Sequence, residues 1–154
     1  MRISAKADYA VRAAIELAGA TSKEPIKGDA ISTAQSIPLK FLENILSDMR
    51  HAGLIASRRG ADGGYWLALP PAEITVADII RAVEGPMATV RGERPERVEY
   101  SGSAEPLQRV WIAVRAALRS VAEEVSLADL AASKLPASVD KLADDPEAWE
   151  APLR

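Results

Sequence analysis

Apolar positions recur at helical spacing over most of this chain and alternate in one short stretch. Ser4 offers an N-cap, and Ala7, Val11, Ala14, Ile15 and Ala18 then return every three or four residues while Lys6, Arg12 and Glu16 point elsewhere, which predicts a half-buried helix to about Ala20. After the turn TSKEPIKG, the segment DAISTAQS carries Ala30, Ile31 and Ala34 at the spacing of a two-turn helix. Pro38 then fits the first position of a third helix, whose apolar stripe is Leu39, Leu42, Ile45, Leu46 and Met49 and which stops at Gly53. Its other face shows Lys40, Glu43, Asn44, Ser47 and Arg50, all able to make directed hydrogen bonds. Two short helices joined by a tight turn, the second displaying such a face, form the pattern of a helix-turn-helix.

The period then changes from helical to alternating. LIASRR and GYWLALP flank GADG, with Leu54 and Ala56 on one side of the first segment and Trp66 and Ala68 opposite Tyr65, Leu67 and Leu69 in the second. This predicts a hairpin in which Gly60, Gly63 and Gly64 supply the positive-φ or close-approach positions of the tip, ended by Pro70-Pro71. Thr75 with Asp78 has capping-box spacing and starts a further helix through Ile79, Ile80 and Val83 to Gly85-Pro86. Residues 88–103 lose the pattern and alternate in charge, so a polar loop is expected there. A long helix follows from about Ala104 to Val125, with Leu107, Val110, Trp111, Val114, Ala117, Leu118, Val121 and Val125 keeping a three-four repeat. One of its faces is too apolar for solvent. Ser126 and Asp129 repeat the capping-box signal before LADLAA, and 136–154 reads as an acidic, mobile tail.

The fold class expected is mainly α with a small β-hairpin wing. Residues 1–87 would form a winged helix-turn-helix domain, 88–103 a polar loop, and 104–135 a dimerisation helix with the short helix after it. The charge is placed accordingly: residues 1–60 hold nine Lys/Arg against six Asp/Glu, whereas 61–154 hold ten against sixteen. A polyanion-binding N-terminal half would show that asymmetry. The absence of cysteine removes disulfides, thiolate catalysis and cysteine-ligated metals, and the single histidine, His51, builds no metal site alone. No nucleophile–base spacing suggests an enzyme. No run approaches the roughly 18 apolar residues of a membrane span, so a cytoplasmic protein without membrane contact is expected.

Four segments together carry a family resemblance: MRISAKADYAVRAAIELA, IPLKFLENILSDMRHAGLI, SRRGADGGYWLALPPAEITVADIIRAVEGP and VSLADL. Over roughly residues 1–131 the chain resembles the bacterial Rrf2 family of winged-helix transcription regulators, most specifically in the wing, R-G-x-x-G-G-Y, and the following E-I-T-V-x-D-I-I-x-A-V-E-G. The resemblance implies a homodimer that crosses its long C-terminal helices and reads a palindromic operator in double-stranded DNA. It also implies that Glu43 contributes to base choice, that Arg59-Gly60 enters the minor groove from the wing, and that Lys40 and Asn44 face DNA. A glutamate accepts from a cytosine amino group while repelling phosphate, so its gain is selectivity. Many relatives hold an iron–sulfur cluster through three cysteines between the helix ending E-G-P and the long helix. Here that stretch, MATVRGERPERVEYSGSAEPLQRVW, has no Cys or His, and Gln108 stands near the place of a ligand histidine. The usual cluster is therefore not expected, no cofactor is implied, and the resemblance points to a branch signalled by small metabolites or a partner enzyme.

The candidate DNA-binding set is Lys40, Glu43, Asn44, Arg50, Arg58, Arg59 and Gly60, and the candidate dimer seam is Leu107, Val110, Trp111, Val114, Leu118, Val121 and Val125. Each has a plainer alternative. Glu43 can merely pair with Lys40 one turn away, and Trp111 can be core. His51 either complements its helix C-terminus or touches a phosphate. Arg91, Arg94, Arg97 and Tyr100 would receive an anionic effector if 88–103 is more than a solvated linker. The favoured reading is a dimeric, sequence-specific regulator, a repressor, with a protein-interaction module that kept the winged fold as the alternative.

Overall fold

The computed structural model describes residues 2–20 and 24–150. Its elements in chain order are α1 (Ala5–Ala18), α2 (Gly28–Gln35), α3 (Leu39–His51), β1 (Ile55–Arg58), β2 (Gly64–Leu67) and α4 (Val76–Glu84). They are followed by α5 (Leu107–Ala122), α6 (Leu127–Ala131), α7 (Ala137–Ala143) and α8 (Pro146–Trp149). The expected winged helix-turn-helix and long C-terminal helix are both present.

Ser4 caps α1 by accepting from the Ala7 amide at 3.0 Å. The helix buries Ala7, Ala10, Ala13, Ala14 and Leu17, so its inner stripe is rotated from the expected one, and Val11, Ile15 and Ala18 lie half-buried at its border. Alanines on this face let α3, α4 and α6 pack closely around α1. The helix ends at Ala18 rather than Ala20, and Thr21–Lys23 of the expected turn lie outside the described residues.

In α2 only Ile31 is buried; Ala30 and Ala34, expected beside it, face outward. The turn to α3 is locked locally. Ser36 takes a left-handed conformation, Ile37 is buried and donates its amide to the Ser32 carbonyl at 3.0 Å, and the Ser32 hydroxyl donates back to the Ile37 carbonyl. Arg12 spans the same turn, donating from Nε to Gln35 Oε1 at 3.1 Å and from Nη2 to the Gln35 carbonyl at the C-terminal end of α2. Pro38 serves as the N-cap residue of α3 rather than its first residue, and its carbonyl accepts from the Phe41 and Leu42 amides. Leu42, Ile45, Leu46 and Met49 form the buried stripe, while Leu39 is exposed. Each such burial contributes about 1.5–3 kcal/mol relative to exposure, which fixes the rotation of α3 and so decides which side chains it shows to solvent.

The wing pairs antiparallel with Ile55 opposite Leu67 and Arg58 opposite Gly64. The sequence did not announce that Ile26 adds a short third pairing, exchanging backbone hydrogen bonds with Tyr65 at 2.8 and 2.9 Å. Gly64 is required there: at φ 147° it lies against Ile26, and a Cβ would stand 2.6 Å from the Ile26 carbonyl oxygen. Trp66 is on the outward side of the wing and is 38% exposed.

Both capping boxes form, Thr75 with Asp78 and Ser126 with Asp129. The segments before α4 and α6 are bridged to each other, with the Val76 amide donating to the Val125 carbonyl and the Leu127 amide to the Ile74 carbonyl, both at 2.9 Å. Val125, expected on the face of the long helix, therefore lies beyond its end and is buried within the chain, and fully buried Leu127 returns α6 to the N-terminal core. Replacing Ser126 with alanine leaves the N-terminal amides of α6 without their side-chain acceptor and should cost about 1 kcal/mol. Urea denaturation of the variant measures this directly.

Residues 88–103 are ordered by docking rather than by their own pattern. Short 3₁₀ turns form at Pro95–Arg97 and Gly102–Ala104, and Pro95 in the first and Val98 just after it are buried. Gln108 Nε2 donates to the Val98 carbonyl at 2.8 Å, with the Pro95 and Glu96 carbonyls at 3.4 Å. The long helix consequently starts at Leu107, later than expected. The tail is likewise more regular than predicted: α7 and α8 are short and solvent-exposed, with Trp149 Nε1 donating to the Ala143 carbonyl, and residues 151–154 lie outside the described part. Among the described residues no helix is long and apolar enough to cross a membrane.

Candidate nucleic-acid interface

Helix α3 and the wing meet along a cleft of about 540 Å³ whose walls include Glu43, Ser47 and Arg50 from α3, Ser57, Arg58, Arg59 and Gly60 from the wing, and Lys27 and Asp29 from the start of α2. Four of these are cations and two are carboxylates, a local cationic surplus in a chain of net charge −3. Arg50 Nη1 approaches the Ser57 hydroxyl at 3.4 Å and so ties the end of α3 to the wing. Arg58 Nη2 donates to the Asp62 carbonyl at 2.8 Å, which steadies the wing turn. Arg59 is exposed and makes no hydrogen bond or salt bridge among the described residues.

The candidate residues thus divide. Glu43, Arg50, Arg58, Arg59 and Gly60 converge on the cleft, whereas Lys40 and Asn44 are exposed on α3 outside its lining. Lys40 and Glu43 form no salt bridge among the described residues, so the plain alternative for Glu43 is absent. His51 is exposed, with Nδ1 at 3.5 Å from the Ser47 hydroxyl. Lys27 was missed by sequence reasoning because the Ile26–Tyr65 pairing that carries it to the wing joins segments far apart in the chain.

The outer surface of α5 is unusually apolar for solvent. None of its residues is buried, and Val110 and Leu118 are 48% and 39% exposed, with Val114 and Val121 half-buried along the same side. Leu107 and Trp111 are also half-buried, and Trp111 Nε1 donates to the Tyr100 hydroxyl at 3.0 Å, facing the docked loop. Ile112, outside the expected repeat, is 36% exposed. The four loop residues considered for an effector separate: Arg91 lies over the Tyr100 ring at 5.8 Å, Arg97 is exposed, and Arg94 turns into a different cleft between α4 and α5.

Acidic side chains secure that junction. Glu96 accepts from Arg115, and Glu123 accepts from Arg119 Nε at 2.8 Å and from Arg81. The backbone amide and then Arg115 hold the Glu96 carboxyl below its ordinary 4.5, and Arg119 followed by Arg81 do the same for Glu123. A carboxylate with a depressed folded pKa stabilises the fold above its unfolded pKa and loses that contribution as pH falls through the folded one. Melting temperature should therefore drop on acidification below 4.5, and Glu123→Gln should be less stable at neutral pH with a shallower acid loss. Parallel acid profiles would contradict the assignment.

A helix-turn-helix with a cationic wing beside its second helix is the arrangement of a DNA-binding regulator. The family model described as "Rrf2: Iron-dependent Transcriptional regulator" matches residues 3–133, and the chain belongs to the Rrf2 family. It is similar to an HTH-type transcriptional regulator of Mycobacterium tuberculosis, 49% identical over 97% of this chain and 93% of that one. Among solved structures it is similar to CymR, the global cysteine regulator of Bacillus subtilis, with a TM-score of 0.72 and 36% identity over 87% of this chain and 98% of that one. IscR of T. potens is also similar, with a TM-score of 0.66 and 30% identity over 98% and 93% of the two chains. The family and these relatives are transcriptional regulators, not enzymes. The iron in the family description does not fit this donor set: the chain has no cysteine and one histidine, and the Gln108 amide is engaged by loop carbonyls.

Proposed function

We propose that two copies of this chain pair through α5 and read a palindromic DNA operator with two α3 helices and two wings, acting as a repressor. The observation that carries this reading is the cleft that gathers Lys27, Arg50, Arg58 and Arg59 beside the exposed face of α3. Arg59, with no hydrogen bond or ion pair among the described residues, is the minor-groove contact. Glu43 and Asn44 contact base edges, and Lys40, Arg50 and Arg58 contact phosphates, with Gly60 admitting the backbone close to the duplex. Pairing is supported by the apolar side of α5 around Val110, Val114, Leu118 and Val121, the residues proposed for the seam. Residues 1–87 act as the reading domain and α5 as the spacer that sets half-site separation. The signal is a small molecule or partner protein rather than an iron–sulfur cluster, and the protein acts in the cytoplasm.

Selection of random duplexes by the purified protein tests the reading. Enrichment of one palindrome with half-sites about one helical turn apart is expected. Retention of no preferred sequence would support a winged interaction module instead.

A further inference from the structure

A second cationic concavity lies away from the DNA-facing cleft. Arg81 of α4, Arg94 of the docked loop, and Arg115 and Arg119 of α5 line a cleft of about 380 Å³, floored by the turn at Gly85 and bordered by Glu96. The internal carboxylates do not match these cations. Glu96 is taken by Arg115, and Glu123, just outside the lining, is shared between Arg81 and Arg119. Asp78 stands 3.7 Å from Arg81 on the α4 side. Arg94 has no hydrogen bond or salt bridge among the described residues. A purely structural ion network would pair its charges. Here Arg94 has no hydrogen-bonded or ion-paired carboxylate among the described residues and feels only the field of Glu96, which Arg115 already holds, while Arg81 and Arg119 share Glu123 with Asp78 further off on the α4 side.

We infer that this cleft is a binding site for a small multivalent oxyanion, a phosphorylated or dicarboxylate metabolite, held by Arg94 with the outward N–H groups of Arg81, Arg115 and Arg119. Guanidinium forks match such anions two bonds at a time, and the cleft has the size of a small-metabolite site. Glu96 is the one carboxylate in the lining, and Glu123 and Asp78 lie behind the guanidinium groups of Arg81 and Arg119 rather than in the cleft wall. The position gives the site its consequence. Helix α4 packs on α1 and α3 of the reading domain, α5 carries the proposed pairing face, and the anion bridges the two. Occupancy fixes the angle between α4 and α5 and thereby the half-site separation. This regulatory step rests on the paired-reader reading, whereas anion binding does not.

Isothermal titration calorimetry of the whole chain at low ionic strength, with inorganic phosphate, pyrophosphate and succinate as separate probes, tests the site. Saturable binding of one anion per chain is expected for at least one probe, and which one binds separates the phosphate source from the dicarboxylate source. Arg94→Ala should weaken it roughly tenfold or more, as loss of a charge-assisted contact does, with an unchanged melting temperature. Arg97→Ala, outside the cleft, and Arg59→Ala, in the wing, should bind as the parent does. No saturable binding of any probe, or binding lost in Arg59→Ala and kept in Arg94→Ala, would overturn the assignment. Operator affinity with and without the bound anion, at matched ionic strength, then reads the coupling. An operator that binds in a chain with no anion affinity would sink this inference alone, and a chain that binds anion but selects no operator would sink the paired-reader proposal.

Discussion

Replacing Leu118 with glutamate should give a folded monomer and lower operator affinity by at least about 100-fold, because tethering two half-site readers supplies a factor of that order without any new contact. Leu118 is exposed on α5, so its own chain loses little packing when it changes. In an isologous seam the substitution occurs twice, and each carboxylate would enter an apolar contact, with Arg115 one turn before it already bonded to Glu96. The nearest repeat positions, Val114 and Val121, cannot pair a charge. Sedimentation velocity gives the oligomeric state and a mobility-shift titration gives the affinity. A variant that remains dimeric and binds operator as before would place the pairing surface elsewhere.

The second large effect concerns Arg59. Its replacement by alanine should weaken operator binding by about 1–3 kcal/mol per half-site and lower the slope of log affinity against log salt by about one for each wing. Two features of the wing give this size. Arg59 has no partner to release among the described residues, and the strands behind it are held at Ser57–Tyr65 and by the Ile26–Tyr65 bridge, so the guanidinium is presented with little ordering cost. Arg58, bonded to the Asp62 carbonyl, is the contrast: its loss would loosen the turn as well as remove a charge. Equal salt slopes for parent and Arg59→Ala would show that the wing does not touch the duplex.

What was legible in the sequence was local. The α3 stripe was legible because four strongly hydrophobic residues at helical spacing bury together, and the two capping boxes because their chemistry is complete within four residues. The glycines of the wing were legible for the same reason. In α1 the reading was rotated, since alanines carry little hydropathy and the larger Val11 and Ile15 drew the stripe toward the helix border. Contacts between distant segments left no local mark. The strand-like pairing of Ile26, the return of Leu127 to the core, and the docking of 88–103 on Gln108 each depend on a partner more than nine residues away. That docking also separated Arg94 from Arg91 and Tyr100, which adjacent spacing in the chain had suggested would act together.

Hydroxyl-radical footprinting of the selected operator tests most directly whether α3 and the wing form the reading surface. Two minor-groove patches placed symmetrically about the operator's centre should be protected by the parent protein and lost with Arg59→Ala, while the central major-groove contacts persist. A single asymmetric footprint, or the same two patches in the variant, would contradict it.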